Sequence, residues 1–174
     1  MNIFIDSQKR IWVAPYNGGL NCLTRDGKLL ATYTTRNSSL SNNVVLSLAE
    51  REGQIWIGTD GGGINILDPE TGQFSLLEHI PGRDNYSLPA NSILCLYGDR
   101  NNNMWAGSIR NGLISIREVS MKTYKDVLPG NDRGLSNSTV LSLFQESENR
   151  IWIGTDGGGI NSFNPFTEKF AHYP

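Results

Sequence analysis

The chain has 174 residues with a formal net charge of −2, a size that fits one domain or part of one core and leaves no room for a large multidomain enzyme. Its 15 basic and 17 acidic residues form no run of either sign, which argues against a surface that tracks nucleic-acid phosphates. No apolar run approaches the length of a membrane span, and no charged and then apolar leader opens the chain.

Composition favours short strands. Nineteen Gly, 18 Asn and 16 Ser make nearly a third of the residues turn formers, and no segment carries apolar residues at helical spacing for three turns. An all-β chain of many short strands is the expectation.

Four tryptophans set the organisation. Trp12, Trp56, Trp105 and Trp152 lie 44, 49 and 47 residues apart, and each anchors one copy of a repeat. Residues 55 to 65 and 151 to 161 share the eleven letters I-W-I-G-T-D-G-G-G-I-N. The copies starting at Ile11 and Met104 are looser. Seven positions after each tryptophan stands a glycine (Gly19, Gly63, Gly112, Gly159) and six before it an acid (Asp6, Glu50, Asp99, Glu146).

In chain order, the first unit (about 1–35) begins inside its own first strand, at Met1 or Asn2. The second (about 40–79) gives four strands: a at Val44 to Ala49, b at Ile55 to Thr59, c at Ile64 to Leu67 and d at Phe74 to Leu77. Glu50 to Gly53 and Asp60 to Gly63 form its first two turns, and Asp68-Pro69-Glu70-Thr71-Gly72 supplies the third with a fixed and a positive φ. The third (about 89–128) and fourth (about 135–174) repeat the plan, the last strand running from Phe170 to Tyr173. Cys22 falls on strand c of the first unit and Cys95 on strand a of the third, so both are expected as free thiols. They support neither a disulfide framework nor a zinc site.

One four-stranded unit cannot bury both its faces, so copies must stack. Radial stacking gives a β-propeller of about four blades, with a linear solenoid as the alternative. The tryptophans on strand b are then expected between neighbouring blades, and Gly58, Gly107 and Gly154 leave space for close sheet contact. Four blades can close as a small ring or form part of a larger one. An open arc would expose apolar blade faces and favour self-association.

The segments Ser41-Asn42-Asn43-Val44 with Gly53 through Asn65, and Ser136-Asn137-Ser138-Thr139-Val140 with Ile151 through Asn161, resemble the two-component regulator propeller repeat. The third copy matches less closely. The resemblance covers essentially the whole chain. It implies a piece of a seven-bladed propeller in the periplasmic sensor of a hybrid two-component histidine kinase, responding to oligosaccharides and regulating polysaccharide utilisation. Kinase chemistry itself has no motif in these residues.

Other signals read as structure. No lysine in phosphate-loop spacing and no helix follows Gly61-Gly62-Gly63 or Gly157-Gly158-Gly159, so these are tight turns. Asp60 and Asp156 are single acids among glycines, a poor calcium set. His79 and His172 lie in different units without a nucleophile beside them, so no catalytic, metal or cofactor site is expected. Asp6, Glu50, Asp99 and Glu146 are expected to cap or bridge the a-to-b turns.

In an up-and-down sheet the b-to-c and d-to-a connections share one end, and there the copies differ most. That face is expected to hold the ligand through Tyr16, Arg83, Asn85, Tyr86, Arg110, Asn111, Asn131 and Arg133, whose donors and rings suit an oligosaccharide or another small ligand. A non-catalytic scaffold for protein contacts is the alternative. A propeller lyase would need an acid–base set beyond Arg and Asn.

Overall fold

A computed structural model of the chain describes residues 1–81, 87–117, 120–128 and 130–174. Its strands form four antiparallel four-stranded sheets, each in simple chain order. The first holds β1 (Asn2–Ile5), β2 (Ile11–Ala14), β3 (Leu20–Leu23) and β4 (Leu29–Tyr33). The second holds β5 (Val45–Arg51), β6 (Gln54–Thr59), β7 (Ile64–Leu67) and β8 (Phe74–Leu77). The third holds β9 (Ile93–Gly98), β10 (Met104–Ser108), β11 (Gly112–Arg117) and β12 (Ser120–Tyr124). The fourth holds β13 (Val140–Ser147), β14 (Arg150–Thr155), β15 (Gly159–Asn164) and β16 (Lys169–Tyr173). This is the expected blade plan, with the a-to-b hairpin of the second sheet extending to Arg51 paired with Gln54.

The sheets stack in sequence. Ile55 and Ile57 on β6 pack against Trp12, Ala14 and Leu20 of the first sheet. Trp56, on the opposite face of the same strand, packs with Ile93, Met104 and Ala106 of the third. A third cluster joins Trp105 and Leu113 to Ile151, Ile153 and Phe163 of the fourth. Because both faces of a middle blade are buried, β6 reads as nearly continuous apolar sequence instead of a clean alternation. Each buried indole removes roughly 150–250 Å² from water, about 4–6 kcal/mol before conformational entropy is counted.

Close approach at each joint needs glycine. A Cβ on Gly58 would lie 2.9 Å from Ile93 Cγ2 and 3.0 Å from the Ile93 carbonyl oxygen in the next sheet. A Cβ on Gly107 would lie 2.6 Å from Val140 Cγ1.

Among the described residues no buried cluster joins the fourth sheet to the first. Ile3 and Ile5 on one side and Phe144, Ile160 and Tyr173 on the other are about half exposed or more. The four sheets therefore form an arc with two uncovered faces. Trp152 lies on one of these faces. With no sheet in front of it, it is only partly buried and packs on Tyr173 of its own blade, ring centroids 5.4 Å apart.

The recurring acids do more than cap turns. Asp6 accepts from the Arg10 backbone N–H at 2.8 Å and from Trp12 Nε1 at 2.9 Å. Asp99 accepts from the Asn103 N–H at 2.8 Å and from Trp105 Nε1 at 2.8 Å, and Glu146 accepts from Trp152 Nε1 at 3.1 Å. Glu50 differs. Its carboxylate takes the Ser7 N–H at 2.7 Å and the Ser7 hydroxyl at 2.5 Å in the neighbouring blade, and the buried Trp56 Nε1 has no hydrogen-bond partner among the described residues.

Candidate functional site

The end of the arc that carries the b-to-c turns is built by a repeated backbone device. Gly63 N–H donates to the Asn91 carbonyl at 2.8 Å, Gly19 N–H to Asn43 at 3.0 Å and Gly112 N–H to Ser138 at 2.7 Å. Each bond ties a b-to-c turn to the connection leading into the next blade, so both kinds of loop share this face. At Gly63, φ is 73° and a Cβ would run into the Leu77 carbonyl, so only glycine fits comfortably. Gly159 repeats the geometry against Tyr173.

The Ser-Asn motif locks the lead-in. Ser41 N–H donates to Asn65 Oδ1 at 2.9 Å, and Asn65 Nδ2 returns a bond to Ser41 Oγ at 2.7 Å. Ser136 and Asn161 repeat this pair at 2.9 Å for both bonds. These polar groups are consumed by the scaffold.

On this platform Tyr16 stands 86% exposed at the first b-to-c turn. Arg110 is exposed at the third, held at a φ of 63°, with Asn111 Nδ2 bonded back to the Ile109 carbonyl at 3.3 Å. Asp60, at the second, accepts from Ser92 Oγ at 2.9 Å. Arg83, Asn85 and Tyr86 lie outside the described residues. Asn131 and Arg133 take a different place from the one expected on the loop face. Their segment runs beside the outer strand of the fourth blade, where Phe170 N–H donates to the Asp132 carbonyl at 2.7 Å and Lys169 Nζ pairs with Asp132 at 2.8 Å. Asn131 Oδ1 accepts from Arg133 N–H at 3.0 Å. The connection from β12 is long enough to fold over the rim and pair with a free strand edge, which satisfies its backbone.

The histidines are structural. His79 Nδ1 lies 2.8 Å from the Leu88 carbonyl and His172 Nε2 lies 2.8 Å from the Gly134 carbonyl, in separate blades.

The rim also carries two equivalent grooves that sequence reasoning missed. One, of about 770 Å³, lies where Thr32, Tyr33 and Arg36 of the first blade face Gly72, Gln73 and Phe74 of the second. The other, of about 490 Å³, lies where Tyr124 and Lys125 of the third blade meet Arg133, Glu168 and Lys169. Their signal was the residue facing the b-to-c glycine's neighbour in the register: Tyr33, Leu77, Tyr124 and Tyr173 occupy one repeat position.

A family model described as the two component regulator propeller matches residues 39–61, 87–110 and 134–157. No curated protein sequence matches the chain. Among solved structures, the extracellular domain of a protein described as a hybrid two-component system from B. thetaiotaomicron superposes with a TM-score of 0.81 at 24% identity, over 99% of this chain and 22% of that one. A catalytically inactive virginiamycin B lyase from Staphylococcus aureus gives 0.73 at 15% identity, over 99% and 54%. PorZ, a surface component of the type-IX secretion system of Porphyromonas gingivalis, gives 0.52 at 15% identity, over 99% and 33%. At these identities the likeness is one of fold. The chain spans about a fifth of the length of the first of these structures and about half of the second.

Proposed function

Because the chain carries three two-component regulator propeller repeats, we propose that it is a ligand-sensing propeller segment of a hybrid two-component sensor histidine kinase. It works outside the cytoplasm, in the periplasm, within a larger ring of about seven blades, and responds to oligosaccharides so as to regulate polysaccharide utilisation. The observation that carries this reading is the contrast at the loop face. Backbone glycines and Ser–Asn pairs hold the platform constant from blade to blade, while exposed Tyr16 and Arg110 at equivalent turns differ. A fixed frame with changing exposed tips is how loops commonly carry recognition. The fold neighbour from a hybrid two-component system supports the same setting.

The test is calorimetric titration of the chain with a panel of plant and host oligosaccharides, followed by Tyr16→Ala and Arg110→Gln. A bound glycan should lose about fivefold to tenfold in affinity in either variant, the scale of one charged or stacking contact. Unchanged affinity in both would remove the loop face as the site.

A second reading has its own observation. Phe144 and Ile160 on the fourth blade, and Ile3 and Ile5 on the first, leave apolar sheet faces uncovered, which suits a scaffold for contacts with further blades, a second copy or another protein.

A further inference from the structure

The two rim grooves share one design and a tyrosine, and differ at the two positions that partner it. At the joint of the third and fourth blades, Tyr124 OH donates to Glu168 Oε1 at 3.2 Å, and Lys122 Nζ reaches the same carboxylate at 2.5 Å. The tyrosine, the acid and the lysine satisfy one another. By strand register, Tyr33 stands where Tyr124 does, Ala31 where Lys122 does, and Gly72 where Glu168 does. Gly72 and Glu168 even share the positive φ, 72° and 57°. The middle joint carries Leu77 in place of the tyrosine.

At the first joint the groups that close the third are thus absent. Tyr33 OH, the Arg36 guanidinium, Ser39 Oγ and the Gln73 amide carry no hydrogen-bond or ion-pair partner among the described residues. They surround the larger groove, an open depression of about 770 Å³. No acid lines it, and Arg36 is its one charged residue. Its aromatic floor is Tyr33 and Phe74, both partly buried, with ring centroids 5.6 Å apart; buried Trp12 stacks behind Tyr33 at 6.3 Å.

The wall is held in place before any ligand arrives. Asn37 Oδ1 accepts from Thr34 N–H at 2.7 Å, Asn37 Nδ2 donates to the Thr32 carbonyl at 2.9 Å, and Ser38 Oγ donates to the Thr34 carbonyl at 2.7 Å. Such preorganisation lowers the entropy lost on binding.

From this we infer that the rim groove between the first and second blades binds a short acidic oligosaccharide. A sugar carboxylate pairs with Arg36, hydroxyls bond Tyr33, Ser39 and Gln73, and a ring face lies on the aromatic floor. The inference names a second site, on the rim and apart from the loop face, with its ligand class; it rests on the sensing reading for its biological sense, though not for its geometry.

The experiment is an NMR titration of the ¹⁵N-labelled chain with trigalacturonate, using cellotriose as the neutral counterpart. Saturable shifts of the amides of residues 32–39 and 72–74 are expected with trigalacturonate and not with cellotriose. Arg36→Gln should weaken binding about tenfold, the loss of one charge-assisted pair. Gly72→Glu supplies the missing acid at a φ that Glu168 already adopts, with nothing within 4 Å of its Cβ. It should abolish the shifts while leaving the urea midpoint near that of the wild type.

No shift in these amides, or shifts that persist in Gly72→Glu, would overturn the groove. Equal response to cellotriose would overturn the acidic ligand. Shifts confined to residues 15–19 and 108–112 would overturn the groove and leave the loop-face sensor standing. Unchanged shifts in Arg36→Gln would overturn the pairing of the ligand's carboxylate with that residue.

Discussion

Replacing one glycine in two equivalent blades separates the packing of a joint from the chemistry of a strand. Gly58 and Gly154 occupy the same repeat position, two residues after the tryptophan. In Gly58→Ala the new methyl meets Ser47 Oγ, which can turn away, but also Ile93 Cγ2 at 2.9 Å and the Ile93 carbonyl at 3.0 Å, which belong to the adjoining sheet. The sheets must separate by a few tenths of an ångström or distort. Overpacking of this kind costs about 1–3 kcal/mol, and the lower chain entropy of alanine returns about 0.4–1 kcal/mol, leaving a net loss of about 1–2 kcal/mol. In Gly154→Ala the methyl meets only Ser142, a side chain of its own blade. The net effect there should fall within about 0.5 kcal/mol of zero. Urea unfolding of both variants, followed by far-ultraviolet circular dichroism at low protein concentration, measures the difference. If Gly154→Ala cost as much as Gly58→Ala, the fourth face would be covered in solution and the open arc would be refuted. If Gly58→Ala were neutral, the joint would not be as tight as its contacts indicate.

Asp6→Ala should cost about 2–4 kcal/mol, because the buried acid holds both Trp12 and Arg10 and its loss strands two donors. Glu146→Ala, where both the acid and the indole of Trp152 reach solvent, should cost under about 1 kcal/mol. Burial alone would raise the Asp6 carboxyl, but hydrogen bonds from Trp12 and Arg10 outweigh it and hold the group below its ordinary value. Its contribution is therefore present above the unfolded carboxyl value near 3.9 and is lost as pH falls through the lower folded one. The stability gap between the wild type and Asp6→Ala, measured by urea titration from pH 6 to pH 3, should hold steady and then narrow below about pH 4. A gap independent of pH would contradict the ionised state. Desolvation at the joint pushes the half-buried Cys95 thiol up to about 12, so a thiol reagent at pH 8 should label it far more slowly in the native chain than in urea. Rapid native labelling of Cys95 would contradict its burial at the joint. Phe144→Asp with Ile160→Asp, on the uncovered fourth face, should shift the mass seen by light scattering toward the monomer across a concentration series. A mass identical to that of the wild type would show that this face makes no contacts.

Much of the fold was legible because the repeat amplifies a weak signal. A single run such as Ile64–Leu67 could be read several ways, but four copies in register with Trp, Gly and an acid fix strand number, turn position and sheet order together. The turn glycines were readable for a local reason, since the positive φ at Gly63 is dictated within a few residues. The acid's second task was hidden. Asp6 reaching Trp12 Nε1 and Glu50 crossing to Ser7 look alike in sequence, and only the spacing between adjacent blades decides which partner is nearer. Trp152 shows a similar limit: its letters match Trp56, yet burial of an indole depends on a neighbour that its own segment does not encode.

The candidate sites divide along the same line. Tyr16 and Arg110 were found because they interrupt a repeated pattern at a turn, which is local information. The position of Arg133 came from a strand edge to which its segment pairs, and the rim groove came from Tyr33 and Gly72 meeting across a joint 39 residues apart in sequence. The sequence by itself determined the repeat, the strands, the turns and the stacking of sheets, because each rests on short-range backbone preference and on apolar faces too large to leave wet. Which polar groups pair across a joint, and which are left free to bind, was decided only by the tertiary structure, because hydrogen bonds act over about 3 Å and the blades must first be packed before such distances exist.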